Sequence, residues 1–126
     1  GYLRLYGVYG YGNEHQNEVG PYPSVSFSEA INITDTDIIV VKFLQNIATQ
    51  NRTKLEVKTG SRVGEGGGTI LATIDIPTIT TETLVTLDVT GVKGYVYVGF
   101  TMITKVGSPP NTGYVDVKIT DIWGEG

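Results

Sequence analysis

Cysteine is absent from the 126 residues, and histidine occurs once. The first absence excludes a disulfide framework, a thiol nucleophile and thiolate metal sites. It leaves the compartment open, because many extracellular domains of bacteria and viruses carry no disulfide. The single His15 is a poor start for a Ser/His/Asp triad: it lies in a Gly/Asn-rich stretch, and no nucleophile-elbow sequence occurs anywhere. Alanine is scarce and long Glu/Lys/Leu runs are missing, which argues against helices. No apolar run approaches the roughly 20 residues that span a bilayer, and no secretory leader pattern is present. Insertion into a membrane is therefore not expected. A basic stripe is lacking as well: net charge is −4 and the pI is about 4.8. Nucleic acid is not an expected partner.

Two further absences narrow the chemistry. The run Gly64-Glu65-Gly66-Gly67-Gly68 lacks the Lys-Ser/Thr ending of a phosphate-binding loop, and no helix pattern follows it. A hairpin loop is the expectation. Paired carboxylates for glycoside hydrolysis would have to come from Glu14, Glu18, Asp75, Asp88, Asp116 or Asp121. These acids fit turns and solvated strand faces, so no enzymatic activity is expected.

Val, Ile, Thr and Tyr dominate what is present, with 17 Gly and 5 Pro placed mostly between alternating segments. The stretch from Gly94 to Met102 alternates strictly. Val96, Val98, Phe100 and Met102 point to one face, and Tyr95, Tyr97 and Thr101 to the other. It reads as a central strand with core on one side and solvent or a ligand on the other. A second central strand, apolar on both faces, runs from Ile38 to Leu44. Further strands are expected over 2–9, 24–33, 53–58, 69–76, 81–89 and 114–122. In the segment 69–76, Ile70, Ala72, Ile74 and Ile76 are expected to face inward, with Pro77 as the stop. About eight strands at this spacing predict an all-β fold, an antiparallel jelly-roll-like β-sandwich. The length suits one domain over 1–126, read as excised from a longer protein because it opens within a strand pattern.

The segment Thr86-Leu87-Asp88-Val89-Thr90-Gly91 leading into Tyr95-Val96-Tyr97-Val98-Gly99-Phe100 resembles the penultimate-strand region of jelly-roll, galactose-binding-like carbohydrate-binding modules. The ending Val115-Asp116-Val117-Lys118-Ile119-Thr120-Asp121-Ile122-Trp123 is similar to their closing strand. Leu3-Arg4-Leu5-Tyr6 with its following loop resembles domains of phage tail proteins and of Gram-positive bacterial surface proteins. The likeness covers about a third of the chain. It implies glycan binding or a structural role, at a virion or cell surface or in a secreted protein. It also implies a structural calcium held near the chain ends, for which Asn13, Glu14 and Asp121, or Asp35 and Asp37, are conceivable ligands.

A sugar site needs a flat apolar surface for the pyranose C–H face, flanked by amides, acids or guanidinium groups for its hydroxyls. The long segment Tyr9–Tyr22 contains both kinds of group: Tyr9, Tyr11 and Tyr22 beside Asn13, Glu14, His15, Gln16 and Asn17. Long loops on rigid β scaffolds often carry binding groups. Tyr97 and the lone Trp123 complete the candidate ligand set, although Trp123 equally suits packing at the bottom of the core. A glycan is the expected ligand. The competing expectation is a structural unit of a fibre or tail, a homo-oligomer such as a trimer, in which the exposed Tyr side chains are subunit contacts. The sequons Asn32-Ile33-Thr34 and Asn51-Arg52-Thr53 matter only in a eukaryotic secretory pathway.

Overall fold

A computed structural model describes residues 1–9, 22–48, 53–105 and 113–126, with side chains for 1–7, 26–47, 53–101 and 114–126. Alternation of β-branched and polar residues yields strands throughout. They are β1 (Leu3–Tyr9), β2 (Tyr22–Asn32), β3 (Ile38–Ala48), β4 (Thr53–Thr59), β5 (Thr69–Ile76), β6 (Thr83–Asp88), β7 (Tyr95–Lys105) and β8 (Gly113–Glu125). Among the described residues no helix is long and apolar enough to cross a membrane.

The strands form two four-stranded sheets, in the orders β1-β8-β3-β6 and β2-β7-β4-β5. All their pairings are antiparallel. Strand β4 pairs β5, β3 pairs β6, β2 pairs β7 and β1 pairs β8. This is one long hairpin rolled so that successive strand pairs fall in alternate sheets, the jelly-roll sandwich. The two strands read as central, β7 and β3, occupy interior positions in their sheets.

Val96, Val98 and Phe100 of β7 are buried, as alternation requires, and meet Ile39, Val41 and Phe43 of β3 in one core cluster. Phe100 stacks on Phe27 of β2 with ring centroids 5.3 Å apart. It also tilts against Phe43 across the sandwich at 5.9 Å. Burying an aromatic or branched aliphatic side chain of this kind contributes about 1.5–3 kcal/mol. Gly99, in the opposite phase, carries no side chain because β2 runs close by: a Cβ there would overlap the Phe27 carbonyl.

Among the described residues, Asn46 and Thr53 form a polar pair inside the core. Asn46 is fully buried, and its backbone N–H and C=O both bond Ile79 at 2.9 Å. Its Nδ2 donates to the Pro77 carbonyl at 2.8 Å, and its Oδ1 accepts from the buried Thr53 hydroxyl at 2.9 Å. This side chain fastens the connection after β5 to β3 and β4.

Bulges depart from simple alternation in three strand pairs, β2–β7 at Pro23 included. In the β4–β5 pair, Val57 lies opposite Ala72 but Lys58 lies opposite Ile70, so Leu71 is the extra residue. Ile70 consequently falls on the outer face and is 53% exposed, not inward as alternation from Ile76 suggests. In the β3–β8 pair Thr120 is extra in β8 and Leu44 in β3, two bulges that restore the register between them. Strand ends differ too: β3 continues through Ala48, β6 begins only at Thr83 and β8 runs on to Glu125.

The Asp88-Val89-Thr90-Gly91 segment is a turn. Thr90 N–H donates to Asp88 Oδ1 at 2.8 Å, and Gly91 and Gly94 have φ of 86° and 85°. The Thr90 backbone N–H, then its hydroxyl, hold the Asp88 carboxyl below the usual range.

Candidate functional site

Of the predicted ligand residues, Tyr11, Asn13, Glu14, His15 and Asn17 lie outside the described residues. Tyr9 closes β1 opposite Gly113, and Tyr22 opens β2 opposite Lys105. Tyr97 is half-buried on the outer face of the β2-β7-β4-β5 sheet, opposite Ala30 and Lys58. Trp123 is half-buried on the outer face of the other sheet, opposite Val40, and its indole N–H donates to Glu125 Oε1 at 3.0 Å. It covers Val40, which is 2% exposed yet stands outside the main core cluster. Tyr97 and Trp123 are thus on opposite outer surfaces and cannot share a small ligand. Among the described residues no three His, Cys, Asp or Glu side chains converge in the manner of a calcium cage. Asp35 and Asp37 are exposed turn residues.

The outer face of β7 is not bare. The connection between β4 and β5, residues 60–68, folds back over it. Val63 is 2% exposed, and its backbone N–H donates to Ser28 Oγ on β2 at 3.1 Å. Lys58 is also buried, and its ammonium donates to the Glu65 carbonyl at 2.7 Å and the Arg62 carbonyl at 3.4 Å. Gly64 has φ of 90° and lies where a Cβ would come within 2.5 Å of the Ser26 side chain. The glycine-rich stretch is a hairpin loop, as expected, and its carbonyls hold a lysine.

The outer face of the β1-β8-β3-β6 sheet is flat and mixed. Arg4 grips Asp116 with two parallel bonds of 2.9 and 3.0 Å, and its guanidinium lies 4.9 Å from the centre of the Tyr6 ring. The Arg4 hydrogen bonds hold the Asp116 carboxyl below its usual range, against an opposing push from burial. Lys118 Nζ stands 5.4 Å from the Tyr2 ring centre.

A concave site lies at one open side of the sandwich. Strands β1 and β2 are edge strands of different sheets and face each other. Past Leu3, which pairs with Ile119, β8 outruns β1. A cleft of about 280 Å³ opens there, lined by Gly1, Tyr2, Leu3, Phe27, Glu29 and residues 119–122 of β8. Its apolar wall is Leu3, Phe27, Ile119 and Ile122, with the exposed Tyr2 as a lip. Its polar groups are notable for what they do not bond. The Thr120 hydroxyl, on the bulge residue, is buried without a hydrogen-bond partner among the described residues. Glu29 lies opposite Val98, in the inward phase between Phe27 and Ile31. No hydrogen bond or ion pair engages its carboxylate among the described residues. An orphaned buried hydroxyl costs about 1–3 kcal/mol.

No protein-family model matches the chain, and neither a curated protein nor a solved structure matches it significantly.

Glu29, Phe27, Leu3 and Thr120 were not among the sequence candidates for a site. Glu29 had a readable signal: an acid in the inward phase of a strand otherwise filled by Val25, Phe27, Ile31 and Ile33. Thr120 had none, because its position depends on a bulge. Leu3, at the cleft, and Tyr9 stand at opposite ends of β1.

Proposed function

We propose that this protein is a non-catalytic carbohydrate-binding module and that the cleft between β1 and β2 is its sugar site. The observation that carries the reading is the pairing of an apolar wall with the exposed Glu29 carboxylate, which has no partner among the described residues, in a cleft at the small end of ligand sites. A pyranose ring has one apolar face and a rim of hydroxyl donors. Leu3, Phe27 and Tyr2 offer the first a surface; the Glu29 carboxylate accepts from the second. The jelly roll is used by lectins, by capsid proteins and by enzymes, so the fold alone does not choose among them. A module of this kind suits the outside of a cell or virion, where it would recognise a surface or cell-wall glycan.

The test is a glycan array that includes bacterial cell-wall polysaccharides, run with wild type and Glu29→Ala. Binding to one sugar class, weakened about tenfold in the variant with the fold intact, is the expected result. Absence of binding to every glycan would reject the reading.

An assembly role is the second reading. Tyr2, Tyr6 and Leu84 are each more than half exposed on the outer side of one sheet, and exposed apolar groups of this kind suit subunit contacts. The mass of the protein in solution separates the two: a stable trimer that binds no glycan favours assembly.

A further inference from the structure

Four strands end the two sheets, and three of them carry features that keep sheet edges from pairing. Strand β1 presents Arg4, β2 carries Pro23 and the inward-phase Glu29, and β6 is short and ends on Asp88. Strand β5 is the fourth. We infer that β5 is a self-association edge, through which two copies of this chain pair antiparallel about a two-fold axis and join their β2-β7-β4-β5 sheets into one.

Strand β5 spans Thr69–Ile76 and, among the described residues, pairs with a strand on one side alone, that of β4. Its other side presents backbone N–H and C=O groups that an extended strand satisfies. From Thr69 to Ile74 it has neither charge nor proline, the composition that favours strand pairing. Ile70 and Leu71 are 53% and 40% exposed there. Asp75, its one charge, lies 4.0 Å from the Lys54 ammonium. The bulge at Leu71 is its one blunting device, and it leaves Ala72–Ile76 in regular register.

Charge points to a second copy as the partner. The chain carries −4 overall, so two copies repel over most of their surface. The hairpin 53–76 is the exception: Lys54, Lys58 and Arg62 balance Glu56, Glu65 and Asp75. Here identical chains meet without net repulsion. Two identical strands running antiparallel are also self-complementary, which is the arrangement of a two-fold dimer. Strand β5 stands at the opposite end of its sheet from β2. Pairing there leaves both clefts beside β2 open and makes the assembly bivalent. The interface itself does not rest on the sugar reading.

One strand pair buries less than a standard interface, so the dimer is expected to be weak and concentration-dependent. Sedimentation of the whole chain from micromolar to millimolar concentration should show monomer passing to dimer. Thr73 is exposed in the middle of β5, and Thr73→Lys brings two cations to the pair. It should weaken the dimer about tenfold or more, while Leu84→Lys, on the other sheet, leaves it unchanged. Melting temperatures report whether each variant keeps its fold. Amide exchange of the wild type gives a readout without substitution: protection along Thr69–Ile76 should rise with concentration, and along Thr83–Asp88 it should not. A monomer at every concentration, or a trimer, would overturn the inference. So would a dimer that Leu84→Lys breaks and Thr73→Lys spares, or β5 amides whose exchange ignores concentration.

Discussion

Replacing Asn46 with alanine removes the one side chain that ties three segments of the core together through polar contacts. The backbone bonds to Ile79 survive, so the loss is confined to the side chain. Nδ2 gives up a 2.8 Å bond to the Pro77 carbonyl and a long 3.4 Å contact with the Ile76 carbonyl. Pro77 is exposed, and water can replace the first of these. The Thr53 hydroxyl is fully buried and would be left with no acceptor. One net hydrogen bond contributes about 1 kcal/mol, and an orphaned buried hydroxyl costs about 1–3 kcal/mol. The sum is about 3 kcal/mol. For 126 residues, an unfolding entropy of about 2.1 cal/mol/K per residue converts this to a fall in Tm of roughly 11 °C. The assay is urea and thermal unfolding of Asn46→Ala, Thr53→Val and the double variant. Thr53→Val alone leaves Asn46 Oδ1 unpaired, but in the double variant neither partner remains, so the double loss should fall about 1 kcal/mol short of the sum. A loss below about 1 kcal/mol for Asn46→Ala, or strict additivity, would refute this account of the buried network.

Other expectations follow from single contacts. Gly99→Ala forces a methyl into the Phe27 carbonyl, so it should cost about 3 kcal/mol or prevent folding, as read by urea midpoint; a near-neutral change would mean that β2 gives way easily. Lys58→Ala frees the Arg62 and Glu65 carbonyls and should destabilise by about 2 kcal/mol, with faster tryptic cleavage after Arg62. Unchanged cleavage would show that the loop is held by Val63 alone. The Asp116 carboxyl is depressed in the folded state by Arg4, so its contribution is present above the unfolded value near pH 3.9 and is lost as pH falls through the folded value. Asp116→Asn should flatten the acid limb of the stability curve, by only about 0.5 kcal/mol because Arg4 is half exposed.

Much of the fold was legible because each buried face is written as a period of two. Val96, Val98 and Phe100, or Val115, Val117 and Ile119, announce their orientation directly. What alternation hides is the bulge. One extra residue at Leu71 turns Ile70 outward, and one at Thr120 leaves a hydroxyl buried and unbonded. Neither position has a local sequence mark. The outer face of β7 looked free in sequence because the loop that covers it lies over thirty residues earlier; Val63 and Lys58 meet β2 and β7 only in three dimensions.

The candidate site was less legible for the same reason. A strand residue declares its face but not the sheet its strand joins, and Tyr97 and Trp123 fell on opposite surfaces through that ambiguity. The cleft exists because the rolled hairpin sets β1 against β2 and because β8 outruns β1, which are features of pairing. Glu29 is the exception: its place between Phe27 and Ile31 in an inward phase is visible in the sequence.

The most direct measurement is a titration of isotope-labelled protein with the best glycan from the array, following backbone amide shifts. The account predicts that the largest changes fall on Leu3, Phe27, Glu29 and Thr120 to Ile122, with Tyr97 and Trp123 responding separately or not at all. Changes confined to Tyr11, His15 and Tyr22, or a glycan array without a single binder, would contradict it.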